Sequence, residues 1–576
     1  MREKEKDEKC KALHAEMLPR LTDYVDLHAS RRPDDVAIIE YNTDTKVTWK
    51  DFYMSIKAFA AKLLDIGIKK GDVVATTLVL LKEHVYLMYA CYRIGAIIAP
   101  LDPRLKEKEV DYCFEKMKPK AYFFLGRVEV KKEGKVEVND FRPMVASLME
   151  KHGETCKHWI QFDFLPHLII DGAIGIRDFA RDVKRCFMQS IMTGSVRDAA
   201  AAVCKRDPCL LVFTTGSTGK PKPALLCHEN IIIQNIGLKV AFDISEKDIM
   251  CVNLPPSHVG CVTEQLATTI FAGGTCVILH IFDAEKTLDA IEKYKITAFG
   301  QIPSLFAMQW RLPKYTRYDL SSLRFALYGG QAVSREFLDK LAKMAPKFGS
   351  GLGLTETAGF VTYTPLDGTV DDIVASIGYD SPLCPISIRE QMKPDGMAGD
   401  PKPEGQIGEI TFSGPQIFLG YLNDEENTRK TVSKDGFCYT GDLGFYDEKG
   451  LHFAGRSKFI IKPKGYQVYP GEIEDFIAEK LADKVELVAV VGIPHEVFTE
   501  GVMAFIEVKA SMKLVSKEVD KVCKEMAAYK RPSHVEILEE GGIPLNRVNK
   551  TDYMALKKQA QKIAEQLRKQ GKWDAN

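Results

Sequence analysis

Residues 209–223 read CLLVFTTGSTGKPKP, and this stretch decides the fold. The apolar run from Cys209 to Phe213 predicts a buried strand, which ends in a loop of hydroxyls, glycines and lysines. Such a loop is suited to binding phosphate, because hydroxyls, backbone amides and an ammonium group all donate hydrogen bonds to anionic oxygens. The sequence therefore predicts a site for a ligand that carries phosphate.

This loop differs from a Walker A loop, which has four residues between its glycines and a Ser or Thr after its lysine. Here two residues separate Gly216 from Gly219, and Pro221 follows Lys220. Pro221 and Pro223 also disfavour a helix that continues directly out of the loop, as a P-loop requires. We expect the loop to surround a polyphosphate without a helix N-terminus. Taken alone, an ordinary Gly/Ser/Thr turn remains the alternative.

Length and composition set the outer bounds. A chain of 576 residues is too long for one core, and 45% hydrophobic with 27% charged residues is typical of soluble globular proteins. Lysine plus arginine equals aspartate plus glutamate at 79 each, so nothing in the overall charge indicates nucleic acid or an anionic membrane. No secretory signal or membrane span is visible, which predicts a cytoplasmic protein. The fourteen cysteines are scattered singly, which predicts reduced core thiols.

Strands and helices alternate upstream of the loop. A strand from Val73 to Leu80, a helix from Val85 to Arg93 and a further apolar strand form the βαβ pattern of a parallel sheet with covered faces. The charged opening of the chain, about fifteen residues, predicts a solvated helix or a frayed arm. Residues 127–207 carry no recognisable chemistry, and within them Leu168 to Gly172 predicts a strand and a turn.

The loop resembles the phosphate loop of the adenylate-forming superfamily, which includes acyl-CoA synthetases, luciferases and peptide-synthetase adenylation domains. Pro223 stands where most members have glycine. Further ordered blocks resemble the same superfamily, and they are residues 348–357, 439–444, 453–462, 465–474 and 543–550. The resemblance, from about residue 21 to 556, implies an α/β protein with two domains. Residues 1–457 would form a large domain of α/β sheets flanked by helices plus a small β-barrel-like region, and residues 458–576 a small mobile α+β domain.

The resemblance also implies a nucleotide site. The residues implied to bind ATP or AMP are Thr214, Thr215, Gly216, Ser217, Thr218, Gly219, Lys220, Gly330, Gln331, Leu352, Gly353, Thr355, Glu356, Asp442, Arg456 and Lys550. Glu356 would hold Mg²⁺, a cation that prefers oxygen ligands shared between protein and phosphates. Asp442 would accept both ribose hydroxyls, since its two oxygens can receive two adjacent O–H donors. Leu352 replaces the aromatic residue that members usually stack on adenine.

The acid, the hinge and CoA are assigned in the same way. His258 stands where members place a His or aromatic residue against the carboxylate substrate. Gly353 stands where acetyl-CoA synthetases have a Trp that restricts them to very short acids, so we expect an acid larger than acetate. Lys458 corresponds to the interdomain hinge. The residues implied along the pantetheine tunnel of CoA are Lys464, Gly465 and Tyr466.

These assignments predict an acyl-CoA synthetase that uses ATP, Mg²⁺ and CoA and forms AMP. Its substrate would be a small-molecule carboxylic acid, of short or medium chain or branched, as in fatty acid metabolism. Lys550, with Glu356 and Thr214 as the other predicted catalytic residues, would stabilise the charge that develops during adenylation. We expect no nucleic-acid partner and no membrane span; the oligomeric state stays open, with a homodimer as the candidate.

Two other functions are compatible with the sequence. A free-standing adenylation enzyme could load an aryl or amino acid onto a separate carrier protein by the same chemistry, although the region around His258 has no aspartate placed to hold an α-amine. A non-catalytic nucleotide-binding protein on the same fold is suggested by Leu352, Pro223 and Asn549, which depart from the pattern of the family. The first rival predicts acylation of a carrier, and the second predicts ATP binding without release of pyrophosphate.

Overall fold

The computed structural model describes residues 4–132, 135–163, 165–214, 221–331, 333–456, 459, 461, 463, 468–497, 499–545 and 551–574. Within them, no helix is long and apolar enough to cross a membrane. All fourteen cysteines are unpaired thiols, and all but Cys204 are buried, as the scattered pattern predicts.

Nineteen α-helices lie in the described residues. In chain order they are α1 Lys4–Ala15, α2 Leu21–Arg31, α3 Trp49–Asp65, α4 Lys82–Ile94, α5 Glu107–Met117, α6 Arg142–His152, α7 Ile176–Arg181, α8 Val183–Thr193, α9 Ser195–Ala201, α10 His228–Ala241, α11 Thr268–Ala272, α12 Ala284–Tyr294, α13 Pro303–Trp310, α14 Arg335–Met344, α15 Val370–Ala375, α16 Glu425–Thr431, α17 Pro470–Lys480, α18 Ser516–Cys523 and α19 Tyr553–Lys569. A π-helix, Gly260–Ala267, runs directly into α11.

The described residues also form twenty-eight strands. They are β1 Val36–Glu40, β2 Thr45–Thr48, β3 Val73–Thr77, β4 Ile97–Pro100, β5 Ala121–Leu125, β6 Arg127–Lys132, β7 Lys135–Asp140, β8 His158–Phe162, β9 Ile174–Gly175, β10 Pro208–Thr214, β11 Lys222–Cys227, β12 Ile249–Val252, β13 Thr275–Ile278, β14 Ala298–Gln301, β15 Phe325–Tyr328, β16 Phe348–Gly349, β17 Gly353–Leu354, β18 Gly359–Phe360, β19 Thr362–Tyr363, β20 Tyr379–Asp380, β21 Ile386–Arg389, β22 Gly408–Phe412, β23 Gly420–Tyr421, β24 Cys438–Asp447, β25 Gly450–Arg456, β26 Val485–His495, β27 Thr499–Val508 and β28 His534–Leu538.

Two large sheets organise the first 420 residues or so. One has the order β16-β15-β14-β12-β13-β1-β2 and is parallel except for β2. The other has the order β23-β11-β10-β4-β3-β5-β8-β9, and in it β11 runs antiparallel to both of its neighbours, β10 and β23. Their strands are short apolar runs because both faces of each sheet are covered. The predicted β3-α4-β4 unit is present in the second sheet. The mixed α/β fold class is therefore confirmed.

Alternate residues of the strands enter different cores. In the second sheet Val74 and Ile98 join the largest apolar cluster, which also takes in α3, α4 and α10, whereas Val73 and Ala75 join a separate cluster with α5. The first sheet divides in the same manner, and Phe299 packs with α12, α13 and α14 on its outer face. The period of two along each strand therefore places helices on both faces of both sheets.

Smaller sheets follow the two large ones. The segment that the sequence predicts as a small barrel forms a four-stranded antiparallel sheet of the order β21-β22-β24-β25. Near the C-terminus, β26, β27 and β28 form a three-stranded sheet with α17 and α18 on one face and α19 on the other. Leu556 and Ala560 of α19 are fully buried, as the spacing in the sequence predicts.

Two local predictions need correction. The opening of the chain is a helix as predicted, but it is not fully solvated, since Cys10 of α1 is buried and joins the largest core. The strand predicted at Leu168 is absent: Pro166–Leu168 is a 3₁₀ turn and a turn follows at Asp171 and Gly172. The nearest preceding strand is β8, which ends at Phe162, because its Trp159 and Ile160 find buried positions beside β5.

Candidate active site

Several of the predicted site residues follow strands at one edge of the first large sheet. Because β12, β14, β15 and β16 run parallel, their carboxyl ends meet there. His258 follows β12, Gly330 and Gln331 follow β15, and residues 352–356 follow β16. Open α/β sheets bind their ligands outside the carboxyl ends of their strands. The sequence-distant blocks therefore come together where this fold class places a ligand.

The strand that leads into the phosphate loop belongs to the second sheet. Thr214 ends β10 and is paired across the sheet with Lys222, the first residue of β11. A strand follows the loop where Pro221 and Pro223 predict that no helix can, and Pro223 accepts a hydrogen bond from the Leu422 N–H at 2.8 Å. The predicted phosphate-binding residues of the loop itself lie outside the described residues: Thr215, Gly216, Ser217, Thr218, Gly219 and Lys220.

Glu356 stands beside this hairpin. It lies in a single 3₁₀ turn, Thr355–Thr357, and its Oε1 accepts a hydrogen bond of 2.6 Å from the Tyr421 hydroxyl. Burial, and then the charge of Glu356, raise the pKa of Tyr421, so the hydroxyl stays protonated and donates. The Lys222 ammonium lies over the Tyr421 ring, 5.1 Å from its centroid. Carboxylate, phenol and ammonium thus adjoin the exit of the phosphate loop.

The surroundings of Glu356 suit a shared magnesium ion. Among the described residues, no group of three or more His, Cys, Asp or Glu side chains could enclose a metal ion. Mg²⁺ commonly binds through one or two carboxylates together with phosphate oxygens and water, so it needs no protein cage. Glu356, with a second oxygen beyond the one that Tyr421 bonds, fits that role.

Asp442 lies in β24 on the neighbouring four-stranded sheet. Its side chain is 2% exposed, its N–H donates to Thr440 Oγ1, and it stands opposite Arg456 in the register of β24 and β25. Glu409 accepts the Gly441 N–H at 3.0 Å, and burial, followed by the charge of Asp442, raises the pKa of Glu409. A second carboxyl therefore adjoins the one that the sequence assigns to ribose.

Glycines shape the part of the site after β15 and β16. Gly330 has φ +94°, a conformation that glycine adopts without strain, and Gln331 beside it is exposed. A Cβ on Gly353 would lie 2.9 Å from the Gly359 carbonyl carbon, because β17 and β18 pair there as a tight hairpin. This contact requires glycine whatever the acid, so the bearing of Gly353 on acid size stays a prediction.

Leu352 and Thr355 frame that hairpin. Leu352 is half-buried, donates its N–H to Thr362 Oγ1 and accepts the Val361 N–H through its carbonyl. Thr355 accepts the Ala358 N–H, and Ala358 has φ +57°. Both residues lie at the predicted strand end, and their contacts with a nucleotide stay predictions.

His258 is exposed at the end of the loop after β12. Its Nδ1 accepts the Gly260 N–H at 3.0 Å, so this nitrogen carries no proton and the neutral ring carries its proton on Nε2. The ring is therefore oriented by its own loop and can donate from Nε2. A donor at this position is compatible with the predicted contact to a carboxylate.

Directly after His258 the chain forms the π-helix Gly260–Ala267, in which the Thr268 N–H bonds to the Thr263 carbonyl. π-helical segments are rare and frequent at functional sites. Glu264 lies in it, and its Oε1 accepts the Phe360 N–H of β18 at 2.8 Å. Burial raises the pKa of Glu264 to about 7. The structure thus adds a carboxyl that the sequence analysis did not select.

Three residues near the predicted site were missed from the sequence: Tyr421, Lys222 and Glu264. Tyr421 gave no signal beyond a turn and short strand, because its partner Glu356 is 65 positions away. Glu264 gave a signal, since it is the one charged residue in the apolar stretch from Gly260 to Ala272. The predicted catalytic Lys550, the hinge Lys458 and the CoA-binding Lys464, Gly465 and Tyr466 lie outside the described residues.

Comparison with known families agrees with this arrangement. Residues 25–422 match the family model described as AMP-binding enzyme, and residues 472–550 match the model described as AMP-binding enzyme C-terminal domain. The chain belongs to the AMP-binding enzyme family, that is, to the adenylate-forming superfamily that its motifs predict.

Related sequences align along most of the chain. A long-chain-fatty-acid–CoA ligase of Bacillus subtilis (strain 168) is 29% identical over 539 residues, 91% of this chain and 91% of that protein. The 4-coumarate–CoA ligase CCL1 of Humulus lupulus is 28% identical over 527 residues, 90% of this chain and 89% of that protein. Both are named as CoA ligases, in agreement with the predicted acid–thiol ligase.

Solved structures share the fold. ATP-bound MatB from Rhodopseudomonas palustris has a TM-score of 0.74 at 24% identity, covering 94% of this chain and 99% of that one. The anthranilate CoA ligase AuaEII in complex with anthranoyl-AMP has a TM-score of 0.77 at 20% identity, covering 96% and 99%. At these identities the likeness establishes the architecture alone.

Proposed function

We propose that the protein is an ATP-dependent, AMP-forming acyl-CoA synthetase, which joins a carboxylic acid to CoA through an acyl-adenylate. The observation that carries the proposal is the placement of Glu356 beside the β10–β11 hairpin, with His258 after β12 at the carboxyl edge of the first sheet. The names of the related CoA ligases support the same reaction. ATP and CoA would be substrates, and Mg²⁺ would bind with ATP.

In the first half-reaction the acid's carboxylate attacks the α-phosphorus of ATP, and pyrophosphate leaves. Bound Mg²⁺ would neutralise charge on the phosphates. Glu356, fixed by the Tyr421 hydroxyl, would hold that ion, and Thr214 with the loop to Lys220 would bind the leaving pyrophosphate. Lys550 would stabilise the charge on the α-phosphate, Asp442 would hold the ribose, and His258 would donate Nε2–H to the acid.

In the second half-reaction the CoA thiolate attacks the acyl carbon, and AMP leaves with the electron pair of the broken C–O bond. Residues 458–576 would form the domain that turns about Lys458 between the two steps. The turn would remove Lys550 and bring Lys464, Gly465 and Tyr466 to the adenylate. The proposal also keeps the predicted acid larger than acetate, the cytoplasmic location and the homodimer as expectations.

The test is carboxylate-dependent release of pyrophosphate with ATP and Mg²⁺, with and without CoA. The panel of acids runs from acetate through branched C4 to C6 acids to octanoate and benzoate. Release that rises with CoA and peaks at one acid supports the synthetase and names its substrate class. If no acid causes pyrophosphate release while ATP still binds, the result contradicts the synthetase and favours the non-catalytic alternative. Acylation of a carrier protein in place of CoA would favour the carrier-loading alternative.

Lys550→Ala separates the half-reactions. We expect it to abolish adenylate formation but to spare thioester formation from supplied acyl-adenylate, because the lysine serves the first step alone. Equal loss of both steps would contradict the role given to Lys550.

A further inference from the structure

Glu264 is a carboxyl that the proposed reaction does not use. It lies six residues after His258, in the π-helix whose start is held to the site by the Gly260 N–H bond to His258. Protein encloses the side chain closely enough for burial to raise its pKa to about 7. Yet the side chain is only half-buried by its accessible surface, so part of the carboxyl can be reached from outside the core.

Its two oxygens have different surroundings. Oε1 accepts the Phe360 N–H at 2.8 Å, and a Cβ built on Gly359 would lie 2.6 Å from it. Oε1 is therefore packed against the β17–β18 hairpin. A Cβ built on Gly260 would lie 3.1 Å from His258 Nδ1 and 3.5 Å from Glu264 Oε2. Oε2 and one nitrogen of the imidazole assigned to the acid therefore both lie close to Gly260.

The same hairpin connects Glu264 to the rest of the site. The N–H of Phe360 bonds to Glu264, and the ring of Phe360 packs against Gly329 and Gly353. A Cβ built on Gly329 would lie 2.8 Å from that ring, and a Cβ built on Gly353 would lie 2.9 Å from it. Gly329 precedes the predicted adenine turn, and Gly353 is the residue predicted to border the acid. Glu264 is thus bonded to the residue that packs against both the segment predicted to bind adenine and the residue predicted to border the acid.

We propose that Glu264 determines the specificity for the acid, and that it selects acids carrying a hydrogen-bond donor, a hydroxyl or an amino group, on the chain beyond the carboxylate. This inference rests on the proposed function. A purely hydrocarbon chain that covered Oε2 would remove water from a polar oxygen and give it no partner. A donor on the chain supplies that partner, and sites built to bond such a group reject analogues that lack it.

The substitution Glu264→Gln tests this with little disturbance of the hairpin. Because the Phe360 N–H needs an acceptor, the amide must keep its carbonyl oxygen there. Its NH₂ group then stands where Oε2 stood, so a ligand beside it meets a donor in place of an acceptor. Glu474→Gln is the matched control: Glu474 is also a buried carboxyl with a pKa raised to about 7 that accepts a backbone N–H, but it lies in α17.

The experiment measures kcat/KM for CoA-ester formation with pairs of acids of equal length. Each hydrocarbon acid is paired with its hydroxy and its amino derivative, for chains of four to eight carbons and for benzoate. We expect the native protein to favour a donor-bearing acid by at least about tenfold. We expect Glu264→Gln to reduce that ratio by about tenfold and Glu474→Gln to leave it unchanged. The hydroxy and amino series show which donor is used.

The outcomes separate the two proposals. No turnover of any acid overturns the synthetase, and the inference with it. Turnover without preference for donors overturns the inference alone, and this result needs no variant. A donor preference that survives in Glu264→Gln, or a loss of rate that is equal for all acids, shows that Glu264 only supports the hairpin.

Discussion

Glu356 lies in the turn between β17 and β18, and Glu264 bonds to β18, yet the two carboxyls have opposite surroundings. Glu356 accepts a hydrogen bond from Tyr421, whose ring carries the Lys222 ammonium, so its region contains a donor and a cation. Glu264 accepts one backbone N–H, and burial raises its pKa to about 7. Within the described chain it forms no ion pair.

The difference shows what each carboxyl can bind. A carboxylate that is to share Mg²⁺ with phosphates must offer oxygens to the ion, and Glu356 has the Tyr421 hydroxyl and a nearby ammonium beside it. A carboxyl enclosed without a cation is costly when ionised, so it suits an uncharged donor or a counter-charge brought by the ligand. On the proposed function, Glu356 would serve the step common to all acids, and Glu264 would distinguish among the acids.

The largest expected effect follows from Glu356→Gln. The amide cannot supply the charged oxygen that a magnesium–phosphate complex needs, so pyrophosphate release should fall by about 100- to 1,000-fold with every acid. The measurement is initial rate at saturating ATP and Mg²⁺, with the exposed Glu425→Gln as control. A fall that depends on the acid would break the distinction between the two glutamates.

Tyr421→Phe should have a smaller effect of the same kind. It removes the 2.6 Å hydrogen bond to Glu356 while keeping the ring beneath Lys222, and a bond to a charged group corresponds to about a tenfold change in rate. We expect the apparent affinity for Mg²⁺ to weaken, which a titration of rate against Mg²⁺ measures. Tyr379→Phe, which removes a hydroxyl bonded to the Glu448 carbonyl at the surface, is the control. An unchanged Mg²⁺ titration would show that the phenol does not fix Glu356.

Gly359→Ala examines the packing around Glu264. Gly359 has φ +126°, and its added Cβ would lie 2.6 Å from Glu264 Oε1, so both backbone strain and overlap destabilise the variant. We expect the Tm to fall by roughly 5 °C or more. Gly436→Ala is the control for the cost of the backbone conformation alone, because Gly436 has φ +88° and no atom lies within 4 Å of its added Cβ. The Tm of this variant should fall less.

The double variant Gly359→Ala with Glu264→Ala completes that test. Removing the Glu264 side chain should recover the part of the loss that comes from overlap but not the part that comes from the backbone. Strictly additive losses would mean that Gly359 and Glu264 do not touch, and the position of Oε1 would then be wrong.

Much of the fold was visible in the sequence because strands buried on both faces are continuous apolar runs. The strand from Cys209 to Phe213 and the unit β3-α4-β4 follow directly from such runs, and the prolines correctly disfavoured a helix directly after the loop. The strand expected at Leu168 was wrong because apolar residues next to a turn do not show whether a neighbouring strand is free to pair. That information resides in β5, which pairs with β8 instead.

The candidate site was predicted unevenly, for a physical reason. Motif residues such as Glu356 and His258 are recognisable because their chemistry is tied to a local pattern. Tyr421 and Lys222 act through contacts between distant segments, which no local pattern records. Gly353 was interpreted through the acid pocket, whereas the structure gives it a second reason in the β17–β18 hairpin. Glu264 required the π-helix, whose register the sequence does not reveal.

The smallest expected effect is a pH dependence of stability at Glu264. Its pKa is about 7 in the folded protein against 4.5 for an ordinary glutamate, so the folded state binds the proton more tightly than the unfolded state. The contribution of this carboxyl to stability is therefore fully present below pH 4.5 and is lost as the pH rises through 7. The loss is at most about 3 kcal/mol.

Glu264→Gln cannot titrate, so the Tm of the native protein should fall relative to this variant by a few degrees between pH 5 and pH 8. Taking the difference between the two proteins cancels the titration of groups they share, including His258 on the same loop. Glu474→Gln should show the same direction, since burial also raises the pKa of Glu474 to about 7. If the Tm difference depends on pH for Glu474→Gln but not for Glu264→Gln, water reaches Glu264 freely. Selection by an uncharged donor would then lose its physical basis.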